Sequence, residues 1–354
     1  MRFPKPISLL ILLAGVTGCV TTGPGASRGE IESMRRTLEA KRLRHLFEEE
    51  SRLNRVAYRI LSTLPNEERQ REIPFVGVLV RDSGKEIARA FSLKKEKGVV
   101  VTGLLTREAA VQSGLEPGDL ITSVANKPVS REKDFKTLVA QSTPGTLLKF
   151  KAQRRGVEFE SELPVQTVWR QISFKLNDRK KDVNAYATFF GIQFTLPMMT
   201  FLATEDELAV IVGHEIAHIL KGHVSKGVGT STISGVVGGL ASIPVNMLLP
   251  GAGSVVSYFV TSATEAQFSQ EFEKEADYFG LQLVHRAGFD LRAGTRVWER
   301  FAVELPRRMS LGFLNTHPST PERFVRTEKA IQELEAPAAV TASSNPLPVT
   351  SETV

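Results

Sequence analysis

Residues 212–223, "VGHEIAHILKGH", constrain this chain more than any other stretch: they put three of its six histidines and one glutamate on a single predicted helix. Thr204-Glu205-Asp206-Glu207 has the pattern of a capping box, so the helix is predicted to begin there and to run to about Ser225, where glycines take over. His214 and His218 are four apart and share a face, with Glu215 beside them. Neutral imidazoles at that spacing suit zinc, and a neighbouring carboxylate suits a general base acting on water that the metal acidifies. His223, nine residues past His214, falls on the opposite side of a continuous helix and is not expected as a ligand. The longer pattern H-E-x-x-H-x-x-G-x-x-H is excluded, because Lys221 and Val224 stand where it needs glycine and histidine. The third ligand must come from elsewhere, and the only dense acidic cluster on a later predicted helix is "EFEKEADYFG", 271–280. Glu273 and Asp277 share one face of it, while Glu271 and Glu275 lie on others. Glu273 is therefore read as the third ligand, and Asp277 as the acceptor for a ligand histidine's other nitrogen. The expectation is one Zn2+ per chain on His214, His218 and Glu273, with Glu215 catalytic.

Four ordered motifs, "ELAVIVGHEIAH", "EKEAD", the upstream "VNAYATFFGIQFT" and the downstream "THPSTPER", make residues 183–323 resemble the HtpX/BepA/LoiP-like gluzincins of metallopeptidase family forty-eight. The resemblance implies a zincin-type peptidase in which His214, His218 and Glu273 bind zinc and Glu215 is the general base. It also implies that Asn184, Ala185, Tyr186 and Ala187 form an edge strand where substrate backbone pairs in extended form. Phe189-Phe190-Gly191 departs from the proline or glycine pair of many relatives, so a bulkier rim is expected there. His317 precedes a helix announced by Ser319, Thr320 and Pro321. Three roles stay open for it: oxyanion stabiliser, inhibitory fourth ligand, or loop-fixing hydrogen-bond partner. Arg323, in the first turn of that helix, is expected to tie the loop to the zinc helices. His45 and His285 carry no assigned role.

Between Ile73 and Gln166 the pattern changes to short β-branched runs, "FVGVLV", "GVVVTGLL", "LITSVA" and "LLKFKAQ", separated by turns. In their midst "REAAVQSGLEPGDLITSVANKPV" resembles the signature of PDZ domains, in the permuted order of HtrA-type proteases. The resemblance implies a groove that receives peptide C-termini by strand addition, built from Phe75, Val76, Gly77 and Val78 and walled by Phe135, Leu138 and Val139. A PDZ fold serving only as a spacer stays open beside that reading.

The first residues, "MRFPKPISLLILLAGVTG", carry Arg2 and Lys5 before an apolar run too short to span a bilayer, which reads as a secretory signal. "VTGC" resembles the lipobox of bacterial lipoproteins, implying lipidation at Cys19, the only cysteine. With no aspartate after Cys19, the resemblance favours a lipoprotein on the periplasmic face of the outer membrane. The net charge of +6 falls by two when Arg2 and Lys5 leave. Basic clusters such as "KLNDRKKD" are interrupted by acids, so no nucleic-acid partner is expected.

At 354 residues and 42% hydrophobic, two domains are expected. The fold class is α+β: a mainly helical zincin-type peptidase with a small edge sheet, plus an inserted β-rich PDZ domain. The expected division is a signal peptide at 1–18, a tether at 19–30, amphipathic helices packing on the peptidase at 31–72, the PDZ domain at 73–167, the peptidase at 168–335 and a disordered tail at 336–354. Residues 227–264 lack charge but hold Pro244, Pro250 and seven glycines, and are read as a lid over the site in preference to a membrane hairpin. Together these readings describe a lipid-anchored endopeptidase acting on unfolded or misassembled envelope proteins. The rival is an adaptor lipoprotein that holds envelope proteins through its PDZ groove.

Overall fold

A computed structural model describes residues 25–93, 97–188, 191–224, 268–305, 313, 317 and 321–336. The expectations for the signal sequence, Cys19, Phe189-Phe190, the 227–264 segment and the tail beyond 336 lie outside the described residues. Among those residues no helix is long and apolar enough to cross a membrane.

One continuous helix, α1 (Arg28–Leu61), replaces the one or two predicted amphipathic helices. Its second half carries Leu53, Val56, Ala57, Ile60 and Leu61 at helical spacing, all buried in a core shared with the metal-site helices. Ile31, Met34 and Leu38 of its first half are exposed. Arg52 donates to the carbonyls of Met199 and Thr204, and Arg59 to those of Ala287 and Gly288, so the helix pins distant turns through their carbonyls.

Strand β1 (Ile73–Phe75) pairs antiparallel with β8 (Gln166–Val168), and this two-stranded ribbon brackets a β-rich unit. Inside it, β2 (Val78–Asp82), β3 (Val99–Leu104), β4 (Leu120–Val124), β6 (Leu147–Arg154) and β7 (Val157–Pro164) form an antiparallel sheet in that order, with β5 (Lys127–Pro128) on β4. Helices α2 (Lys85–Ala90) and α3 (Glu132–Ala140) complete it. Val76, Val78, Phe135 and Val139 are buried in its own apolar core, separate from the first. Phe75 belongs to both neighbourhoods: its ring stacks on Tyr58 of α1 at 4.7 Å and packs against the other core, and it lines the same cavity as Val76, Val78, Phe135 and Val139.

Past Val168 stands the small sheet expected within the mainly helical region. A three-stranded sheet holds β10 (Ala185–Thr188), β11 (Gly191–Thr195) and β9 (Phe174–Asn177) in that order, with β11 and β9 parallel. Short helix α4 (Leu196–Phe201) leads to α5 (Glu205–Leu220). The predicted capping box is present: the Thr204 hydroxyl accepts from Glu207 N at 3.1 Å, and the Glu207 carboxylate accepts from Thr204 N at 3.4 Å and also from Ala203 N at 2.8 Å. Nearly every side chain of α5 is buried, as expected of a helix packed on all sides. Helices α6 (Gln270–Arg286), α7 (Ala293–Glu304) and α8 (Pro321–Glu335) surround it.

Candidate metal centre

Two glycines set the site. Gly213 of α5 and Gly280 of α6 face each other so closely that a β-carbon built on Gly280 would stand 2.9 Å from His214 N. Backbone meets backbone at this crossing, and Glu273, two turns before Gly280, is thereby held opposite His214 and His218. Neither glycine was singled out by the motif pattern, although each lies within or beside a quoted motif.

His214, His218, Glu273 and His317 each offer a ligand atom, and these atoms lie within 4.8 Å of one another. His214 Nε2 is 3.1 Å from His218 Nε2 and 3.1 Å from His317 Nδ1. Glu273 Oε1 is 3.3 Å from His218 Nε2 and 2.8 Å from His317 Nδ1. Ligands about 2 Å from a tetrahedral zinc ion stand about 3.3 Å apart, so the cluster has the right size for one. Glu273 Oε2 is buried with no hydrogen bond among the described residues, Arg323 standing 3.2 Å from it, and the donor set of imidazole nitrogens and one carboxylate suits a zinc ion. The geometry thus brings together the expected ligands and places His317 among them.

Electrostatics follow from burial. It drives the His218 imidazole well below its ordinary value against the pull of Glu273, leaving a neutral ring with a lone pair for a metal. Burial alone would raise the Glu273 carboxyl, but the charge of His317 and the bonds from His218 and His317 outweigh it, and the carboxyl is held well below the usual range. His317 is raised: burial opposes its charge, yet the Glu273 and Glu215 carboxylates prevail. Glu215 is wholly buried, and burial raises its carboxyl despite His317 and His214. Neither Glu215 oxygen has a hydrogen-bond partner among the described residues, and its Oε1 lies 3.5 Å from His317 Nε2.

Behind the ligands, His214 Nδ1 is 2.9 Å from Asp277 Oδ1. Arg323 reaches both Asp277 oxygens at 2.6 and 2.7 Å, approaches Glu273 Oε2 at 3.2 Å and donates to the His317 carbonyl at 3.3 Å. Its guanidinium lies 3.7 Å over the Trp298 ring. Replacing this buried cation by methionine strands two carboxylates, and is expected to lower unfolding free energy by about 3–5 kcal/mol in urea titrations. Burial would raise Asp277, but Arg323 and the His214 bond hold it below its ordinary 3.8. A depressed carboxyl stabilises the fold above its unfolded pKa and loses that contribution as pH falls through the folded one. The stability gap between wild type and Asp277→Asn is therefore expected to narrow below about pH 4.

His223 corrects the helical extrapolation. The helix stops at Leu220, Gly222 adopts φ +70°, and the chain turns back so that His223 Nδ1 sits 3.1 Å from His218 Nδ1. Glu275, read as facing elsewhere, accepts from His223 Nε2 at 3.0 Å. The available signal was Gly222, a helix stop placed just before the histidine.

Asn184 precedes β10, and Ala185, Tyr186 and Ala187 lie within it; β10 is an outer strand packed beside α5. A cavity of about 810 Å³ is lined by Val76, Val78, Phe135 and Val139 of the β-rich unit and by Tyr58 and Ile172 from outside it. Leu138 packs on the β-rich core, and Gly77, at φ +71°, turns the chain into β2.

Comparison with known proteins adds the family. The model of "Peptidase family M48" matches residues 160–331, and that of "PDZ domain" matches 74–165. "Mitochondrial metalloendopeptidase OMA1" of Schizosaccharomyces pombe is 31% identical over 130 residues, covering 36% of this chain and 37% of that protein. "Metalloprotease LoiP" of Escherichia coli is 29% identical over 147 residues, 40% of this chain and 56% of that one. "Beta-barrel assembly-enhancing protease" of Escherichia coli is 33% identical over 120 residues, 32% of this chain and 24% of that one. The chain thus spans between a quarter and a little over half the length of these relatives.

Proposed function

From a chain that belongs to peptidase family M48 through residues 160–331 and carries a PDZ domain over 74–165, we propose a zinc-dependent endopeptidase that hydrolyses envelope proteins in quality control. The observation that carries this reading is Glu215, fully buried beside four converging candidate ligand groups, with both oxygens free of hydrogen bonds among the described residues. A purely structural metal site has no use for such a carboxylate.

His214, His218 and Glu273 hold the metal, and Asp277 and Arg323 fix the orientation of His214 and Glu273. Zinc, when bound, supplies Lewis acidity, acidifying water and polarising a scissile carbonyl. Glu215 takes the proton of the attacking water and returns it to the leaving amine, a task suited to a carboxyl whose burial raises it above its ordinary range. Asn184, Ala185, Tyr186 and Ala187 pair with extended substrate along the free edge of β10. The PDZ groove, Phe75 to Val78 with Phe135, Leu138 and Val139, takes peptide C-termini.

A resting form of the same enzyme has an observation in its favour. His317 stands inside the candidate ligand set, 2.8 Å from Glu273. It then acts as an internal fourth ligand, withdrawn when substrate arrives.

The similarity to a beta-barrel assembly-enhancing protease supports an envelope location. Cys19 and the apolar run before it support a lipid anchor on the periplasmic face of the outer membrane.

The test is turnover of unfolded casein by the full chain before and after dialysis against a chelator. Cleavage lost with zinc and restored by it is the expected result. Activity appearing only in His317→Ala would indicate the resting form, and silence in both with zinc bound would favour an adaptor that holds proteins without cutting them.

A further inference from the structure

His223 is a fully buried titratable side chain that the proposed chemistry does not use. Its ring stacks on Phe272 at 4.3 Å with planes 8° apart, so its orientation is set by packing. Its two nitrogens then have defined neighbours: Nδ1 is 3.1 Å from His218 Nδ1, and Nε2 is 3.0 Å from Glu275 Oε2.

Only one arrangement of hydrogens satisfies the row when His218 is a metal ligand. Its Nε2 faces His214 and Glu273, at 3.1 and 3.3 Å, so the hydrogen of the neutral ring is on Nδ1 and is donated to His223 Nδ1. His223 then carries its own hydrogen on Nε2 and donates it to the Glu275 carboxylate. His214 is held the same way, its Nδ1 directed at Asp277. Both carboxylates come from α6, two residues apart: Asp277 shares the face that presents Glu273, and Glu275 does not. Residues at that spacing do not share a face. Glu275 reaches the back of the site because the turn at Gly222 inserts His223 between it and His218.

We infer that His223, backed by Glu275, is a positioning residue for the metal: it fixes the tautomer and ring angle of His218 and so slows the loss of zinc. The inference rests on the reading of His218 as a ligand. Outer hydrogen-bond partners of this kind change metal affinity by about 10–100-fold.

The test measures zinc release from the loaded full chain to a chromogenic chelator, together with urea unfolding of the metal-free chain. His223→Phe keeps an aromatic ring against Phe272 and removes both nitrogens; His223→Asn places an acceptor oxygen near the position of Nδ1. The expected result is zinc release about 10–100-fold faster in His223→Phe, largely restored in His223→Asn, with metal-free unfolding similar in wild type and His223→Phe. Release from His223→Phe within about twofold of wild type would overturn the inference. So would equal damage in both variants accompanied by equal loss of metal-free stability, because that pattern reports packing. A His218→Ala control separates the premise from the inference: if it releases zinc at the wild-type rate, His218 is not a ligand and both fall.

Discussion

Replacing Glu215 by glutamine is expected to lower kcat/KM on unfolded casein by about 10²–10⁴-fold while zinc content stays at the wild-type level. The two outcomes separate because Glu215 is not among the four clustered candidate ligand groups, and among the described residues neither of its oxygens accepts a hydrogen bond. Glutamine has the same shape and cannot take a proton from water. The variant is also expected to be no less stable without metal at neutral pH. A carboxyl raised by burial opposes folding above its unfolded pKa, and the amide removes that charge. Full activity with zinc bound would remove Glu215 from the chemistry. Loss of zinc would mean that it is a ligand.

Gly280→Ala is the second large effect, although Gly280 touches neither substrate nor metal. The added β-carbon would lie 2.9 Å from His214 N and 3.0 Å from Gly213 C and His214 Cα. All three are backbone atoms, so no side-chain rotation relieves the contact and α5 and α6 must separate. Overpacking of this kind costs about 1–3 kcal/mol. The separation carries Glu273 away from His214 and His218, so zinc affinity in chelator competition is expected to fall about 10–100-fold, as it does when ligand positioning is lost. Gly213→Ala is expected to behave alike, since its β-carbon would meet Gly280 O at 2.9 Å and Val284 at 2.8 Å. Wild-type stability and affinity in both variants would show that the helices yield without moving the ligands.

Much of this site was legible locally. His214, Glu215 and His218 fall at a spacing that only a helix converts into a metal face, and the Thr204 and Glu207 side chains announce where that helix starts. Glu273 followed because helical periodicity separates it from Glu271 and Glu275. Periodicity also drew the C-terminal part of α1 correctly, through Leu53, Val56, Ala57, Ile60 and Leu61.

Local pattern failed where a chain reversal or a helix crossing decides proximity. His223 was extrapolated along a helix that Gly222 ends, and so its contact with His218 was invisible to any argument from angle per residue. The sequence by itself determined which residue types carry the chemistry, since motif spacing and helix periodicity are properties of neighbours in the chain. Only the tertiary structure decided that His317 stands among the candidate ligands, that Arg323 bridges Asp277 and Glu273, and that Gly213 and Gly280 let two helices touch. Those contacts join residues far apart in the chain, and whether they form depends on how closely packed helices can approach, which no local pattern encodes.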